Sequence, residues 1–131
     1  SADLHYHKAS LMYAAILRRS PTTDTHLFYT GAKRDAQTAS LQAAATSLTV
    51  LPSGDPEAAL VINSFALHTL IDLNTHNRGG RPGIGALSPS ASLVAYPDYP
   101  GTVGWPGRAH LAADRVTSPP ELSPSQYTLE S

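Results

Sequence analysis

Ser64, His68, Asp72 and His76 stand four residues apart in the stretch DPEAALVINSFALHTLIDLNTH, residues 55–76. On a helix, side chains at that interval lie one above another. Ser64, His68 and Asp72 are the residue types of a nucleophile, a base and an orienting carboxylate. His68, Asp72 and His76 are the types and spacing of metal ligands. A polar stripe facing water is the third reading and outweighs both, because amphipathic helices carry such stripes as a rule. The triad is the weakest, since mid-helix amides are already bonded and cannot form an oxyanion hole. Ser64, His68 and Asp72 therefore stand as weak catalytic candidates, and no metal or other cofactor is expected.

Three other groups of residues bear on function. Arg78 and Arg81 sit in the loop Asn77–Gly85, whose glycines resemble phosphate-gripping loops in composition. The loop follows a helical pattern rather than a strand and lacks the Gly-Lys-Ser/Thr ending of a P-loop. Both arginines are candidates for anion or RNA phosphate contact. Tyr96, Tyr99, Trp105 and Tyr127 lie in a Pro-rich frame and are candidates for docking on another surface. His5 and His7 flank Tyr6, and a metal shared between them requires an extended segment.

The elements that position these residues follow from caps and periodicity. Asp55 and Pro56 start a helix that carries no further Pro or Gly until Gly79. Its apolar residues cover about half the cylinder, so it is expected to run to about Thr75 and to pack on more than one side. Residues 1–19 read as a first helix, capped by Asp3 and burying Tyr6, Ala9, Tyr13, Ile16 and Leu17. Leu27–Thr30 and Leu48–Leu51 read as short strands around an alanine-rich helix from Ala32 to Ser47. The order strand, helix, strand, helix makes a parallel unit possible. Ala91–Tyr96 reads as a further strand, and Arg108–Arg115 as a short helix. Eight of the eleven prolines fall between Pro82 and Pro124.

The fold class this predicts is α+β. A mainly helical N-terminal part, with three helices and two or three short strands, precedes a long irregular Pro/Gly-rich arm. The boundaries fall at residues 1–76 for the helical part, 77–90 for a Gly/Arg-rich linker and 91–131 for the arm.

Composition bounds the function. The chain has 131 residues, enough for one modest core, and no cysteine, which excludes disulfides, zinc thiolates and a thiol nucleophile. Net charge is −1, so no global field favours nucleic acid or an anionic membrane. Only 15% of residues are charged, and arginine outnumbers lysine seven to two, which is interface-like. No run of about 20 apolar residues spans a membrane, and no signal peptide is visible. These features favour a structural role over catalysis: a subunit or processed segment of a large assembly, a capsid or other shell included. Its partners would be other protein subunits, with RNA a weaker choice and membrane excluded. The location would be cytoplasmic or within a virion or large assembly. The alternatives are a small hydrolase-like or metal-dependent enzyme centred on His68 and Asp72, and an RNA- or anion-binding module.

Overall fold

The computed structural model describes residues 1–19, 22–96, 102–105, 109–114, 116, 119 and 121. The chain divides into two compact units, Ser1–Leu51 and Pro52–Ser131. Helices and strands are mixed, as expected, and among the described residues every strand pair is parallel.

The first unit runs α1 (Lys8–Arg19), β1 (His26–Tyr29), α2 (Ala36–Ala44), β2 (Ser47–Val50). β1 and β2 pair in parallel, with His26 opposite Ser47 and Tyr29 opposite Val50. Parallel neighbours need a crossover, and α2 supplies it. This is the parallel unit that the order of elements allowed. Its helices are shorter than expected. α2 begins at Ala36 because Asp35 adopts extended backbone and accepts from the Gln37 and Thr38 amides. The Thr38 side chain accepts in turn from the Asp35 amide, a capping box with threonine in the usual glutamate position.

α1 begins at Lys8, not after Asp3. Residues 1 and 2 instead lie along β1: the Ser1 amino group donates to Phe28 O, and Thr30 N donates to Ser1 O. They take the edge opposite β2, whose side is marked by Leu51 N bonding Tyr29 O. The buried face of α1 is Ala9, Ser10, Tyr13 and Ala14, while Tyr6 and Ile16 are exposed. Small residues on this face let α2 approach, and Gln37 Nε2 reaches Ser10 O at 3.3 Å.

The second unit runs α3 (Asp55–Asn63), β3 (Thr69–Asp72), α4 (Pro82–Ala86), β4 (Ser92–Ala95), β5 (Ala109–Leu111), with sheet order β3-β4-β5. Here the expected long helix is two elements. α3 ends at Asn63; the Ser64 hydroxyl turns back to Val61 O at 2.7 Å, and Ala66 takes a positive φ of 50°. The chain then re-enters as a strand. Part of the presumed helix's apolar run belongs to an edge strand, in which Leu70 is half-buried and Ile71 is exposed.

The C-terminal segment differs from expectation in the same way. Ala109–Leu111 is a strand where a short helix was expected, paired through Leu93 opposite Ala109 and Ala95 opposite Leu111. Leu93, Ala95, Val103, Trp105 and Ala109 form a buried cluster, with Leu70 and Leu111 packed against it. An indole removes roughly 150–250 Å² from water on burial, worth on the order of 4–6 kcal/mol at about 25 cal/mol per Å². That gain keeps the only Trp inside its own unit. So residues 103–111 of the presumed arm include core residues. Tyr99 and Tyr127 lie outside the described residues, as does most of the segment from residue 97 onward. Among the described residues, no helix is long and apolar enough to cross a membrane.

Candidate functional site

In parallel sheets, the loops beyond the carboxyl ends of the strands are where ligands are usually met. In the first unit that end of β1 leads to four side chains able to move or hold protons. Tyr29, the last residue of β1, is 1% exposed, and its hydroxyl donates to Lys33 O, which folds down the loop leading to Asp35. Burial raises the Tyr29 pKa, helped by the negative charges of Asp35 and Asp3 and opposed by Arg34.

Asp35 faces two elements at once. Its Oδ1 accepts from Gln37 N at 3.0 Å, Thr38 N at 3.1 Å and the Thr38 hydroxyl at 3.3 Å. Its Oδ2 accepts from Tyr6 N at 2.7 Å. The Tyr6 amide is the largest cause of a lowered Asp35 pKa, followed by the Thr38 amide. Tyr6 lies between His5 and His7, so the carboxylate grips the middle of a histidine loop.

His7 is oriented by the first turn of α1. Its amide donates to Ser10 Oγ at 3.2 Å, and its Nδ1 accepts from Ala9 N at 3.3 Å. A neutral imidazole that accepts at Nδ1 carries its proton on Nε2, so this geometry makes His7 a donor. The two rings are tilted by 50° with centroids 6.3 Å apart. His5 Nδ1 is enclosed and has no hydrogen-bond partner, and the same holds for Thr30 Oγ1. Orphaned polar atoms are uncommon in folded proteins.

The second unit has its own loop beyond β3. Asp72 Oδ1 accepts from Asn74 N at 3.0 Å and Thr75 N at 3.1 Å. Asn74 and Thr75 are nearly fully buried. Thr75 holds a φ of +44°, and its Oγ1 has no partner. A β-branched residue in that region is strained. His76 and Arg78 are exposed on this loop.

The residues singled out from the sequence are dispersed. Ser64 caps the end of α3, His68 precedes β3, and Asp72 closes β3. Four residues along an extended strand span roughly 13 Å, so the stacking that a helix gives is absent. Among the described residues no three His, Asp or Glu gather as metal ligands. Arg81 is engaged by the protein itself. Its Nε donates to Asp55 Oδ1 at 2.8 Å, Nη1 to Pro52 O at 2.6 Å and Nη2 to Ser53 O at 2.9 Å. Trp105 is buried, with Nε1 on Pro82 O at 2.8 Å, and Tyr96 N donates to Asp72 O at 3.0 Å. Sequence reading missed Asp35 as a bridge. The signal was the Asp-Ala-Gln-Thr pattern following a strand and a glycine, a capping box in all but its last residue.

Comparison with known proteins gives the family and the fold. The model of a family described as glycosyl transferase family 41 matches residues 40–130. A probable UDP-N-acetylglucosamine–peptide N-acetylglucosaminyltransferase, SEC, from Arabidopsis thaliana is 36% identical over 61 residues, which are 47% of this chain and 6% of that protein. The fold is similar to that of part of an O-GlcNAc transferase from Thermobaculum terrenum, solved as its K341M mutant. The TM-score is 0.87 at 21% identity, over 99% of this chain and 25% of that one. The chain thus spans a small part of the length of either protein. These findings overturn the assembly-protein reading, capsid included, and point to a glycosyl transferase family in place of the hydrolase, metal-enzyme and RNA- or anion-binding alternatives. The premise of a helix apolar on several sides had merged α3 with β3.

Proposed function

Because this chain belongs to glycosyl transferase family 41, we propose that it forms part of the transferase that moves N-acetylglucosamine from a UDP-sugar to a peptide hydroxyl. The observation that carries the reading is the family match over residues 40–130. The donor and acceptor are taken from the names of the two similar proteins.

The reaction forms a bond between the acceptor oxygen and the anomeric carbon. It breaks the bond from that carbon to the diphosphate, and the acceptor proton must leave. Two protein groups help most: a donor beside the oxygen on which charge develops, and an acceptor for the proton. The histidine loop offers the first. His7 presents Nε2–H, fixed by the Ala9 amide on Nδ1. The loop precedes the residues matched by the family model and lies within the part of the chain whose fold is shared with the bacterial transferase.

The test is transfer from UDP-N-acetylglucosamine to a serine-containing peptide by the protein that carries this chain. His7→Ala is expected to lower kcat by about a hundredfold, within the usual range for losing a positioned proton-transfer or donor group. Wild-type protein that neither binds the donor nor labels the peptide would sink the transferase reading. Full activity in His7→Ala would remove the histidine loop from it.

A further inference from the structure

We propose that Asp35 is the positioning residue of the His5–Tyr6–His7 loop, one oxygen holding the loop and the other holding the start of α2. The inference rests on the reading of that loop as part of the transfer site.

The side chains leave little else to fix it. Leu4 is 1% exposed and Ala9 5%, so the chain is anchored on both sides of the loop. Between them, Tyr6 is 73% exposed and its ring cannot anchor the segment. His7 bonds only within its own turn: its amide to Ser10 Oγ, its carbonyl to the Ser10 amide and hydroxyl, and its Nδ1 to the Ala9 amide. Among the described residues, the bond from Tyr6 N to Asp35 Oδ2 is the one hydrogen bond tying these three residues to another element of the fold. At 2.7 Å it has the length of a charge-assisted bond.

The division between the two oxygens makes the idea separable from ordinary capping. An asparagine caps a helix as well as an aspartate does. It has only one acceptor oxygen, and its other arm is a donor. In Asp35→Asn the oxygen stays with the Gln37 and Thr38 amides, and an NH₂ group then faces the Tyr6 N–H, donor against donor. The cap survives while the tie to the loop is lost. Asp35→Ala loses both.

Two measurements test this. The first is amide hydrogen exchange by NMR on the chain. In Asp35→Asn, Tyr6 exchange is expected to accelerate by about tenfold or more while Gln37 and Thr38 keep their wild-type rates. In Asp35→Ala all three should accelerate. The second is transfer kinetics in the protein that carries the chain. Asp35→Asn is expected to lower kcat by about tenfold with the donor KM within about twofold, because misplacing a reacting group by an ångström costs rate more than ground-state binding. Unchanged Tyr6 exchange in Asp35→Asn overturns the proposal. So does equal acceleration at Gln37 and Thr38 in Asp35→Asn, which would make Asp35 a cap and nothing more. Faster Tyr6 exchange with an active His7→Ala variant upholds Asp35 as the holder of the loop and rejects the catalytic reading of the loop itself.

Discussion

A Cβ placed on Gly85 would lie 2.3 Å from Cε2 of Trp105. The indole therefore lies flush against the backbone of α4, with its Nε1 on the carbonyl of Pro82. No side chain larger than hydrogen fits there without moving the ring or the helix. Gly85→Ala is expected to destabilise the protein by about 1–3 kcal/mol, the range for overpacking a filled core. Urea unfolding followed by tryptophan fluorescence reads this directly. A change below about 0.5 kcal/mol would mean that the ring moves aside freely.

Thr75 invites the opposite substitution. It combines a positive φ with a buried, unpartnered hydroxyl. Glycine takes that backbone at no steric cost and removes the orphaned group, at the expense of a buried methyl and some chain entropy. Thr75→Gly is expected to raise stability by about 1 kcal/mol, the balance of strain relieved over burial lost. A destabilised variant in thermal or urea unfolding would show that the methyl group outweighs the strain.

Arg81 is predicted to act as a clamp. It joins the Pro52–Ser53 turn and Asp55 at the start of α3 to the residue preceding α4. The pair with Asp55 is partly exposed, so its ionic part is screened and small. Two backbone carbonyls also lose their donors on truncation. Arg81→Ala is expected to cost about 1–2 kcal/mol, most of it persisting at high salt. Stability equal to wild type in salt would reduce the clamp to a surface ion pair.

Two groups in the first unit set pH limits. Asp35 has a lowered pKa in the folded state, mainly from the Tyr6 amide and then the Thr38 amide. Its contribution is therefore full above the unfolded carboxylate value, and is lost as pH falls through the lower folded value. Tyr29 has a raised pKa, mainly from burial and then from Asp35 and Asp3. Its contribution is full below the unfolded value of 10.0 and is lost as pH rises through the higher folded value. Unfolding curves across pH should show Asp35→Asn flattening the acid limb and Tyr29→Phe flattening the alkaline limb. Limbs unchanged by these variants would assign the pH dependence to other groups.

Local signals in the sequence carried the first unit well. Leu27–Tyr29 and Leu48–Val50 are dense in strand formers, the alanine-rich stretch between them is helical, and their order allowed the parallel pair. Asp55 and Pro56 marked the start of α3 to within a residue, with Gly54 taking the cap. The end of α3 was not legible, because Phe65, Leu67, Leu70 and Ile71 fit both a helical arc and a loop leading into an edge strand. Periodicity cannot separate the two over so short a run. Trp105 was misread because its partners, Pro82 and Gly85, are about twenty residues away and leave no trace near the indole. The histidine loop was seen and passed over. His5 and His7 gain meaning only from Asp35, on another element, and the capping pattern that betrays Asp35 says nothing about its second oxygen.

The parallel pairing of the described strands sets a timetable for synthesis. A hairpin can close as soon as its turn emerges, whereas β1 must wait for α2 to be made before β2 can lie beside it. That wait is over by Val50, so the first unit holds all its strand partners while β3 is still to be translated. The second unit cannot complete its sheet until Leu111, nor seat its indole until residue 105 has been added. During that interval the apolar faces of α3 and β3 stand on the growing chain without their cover. It is over this stretch that a pause in translation or a holding chaperone would matter most.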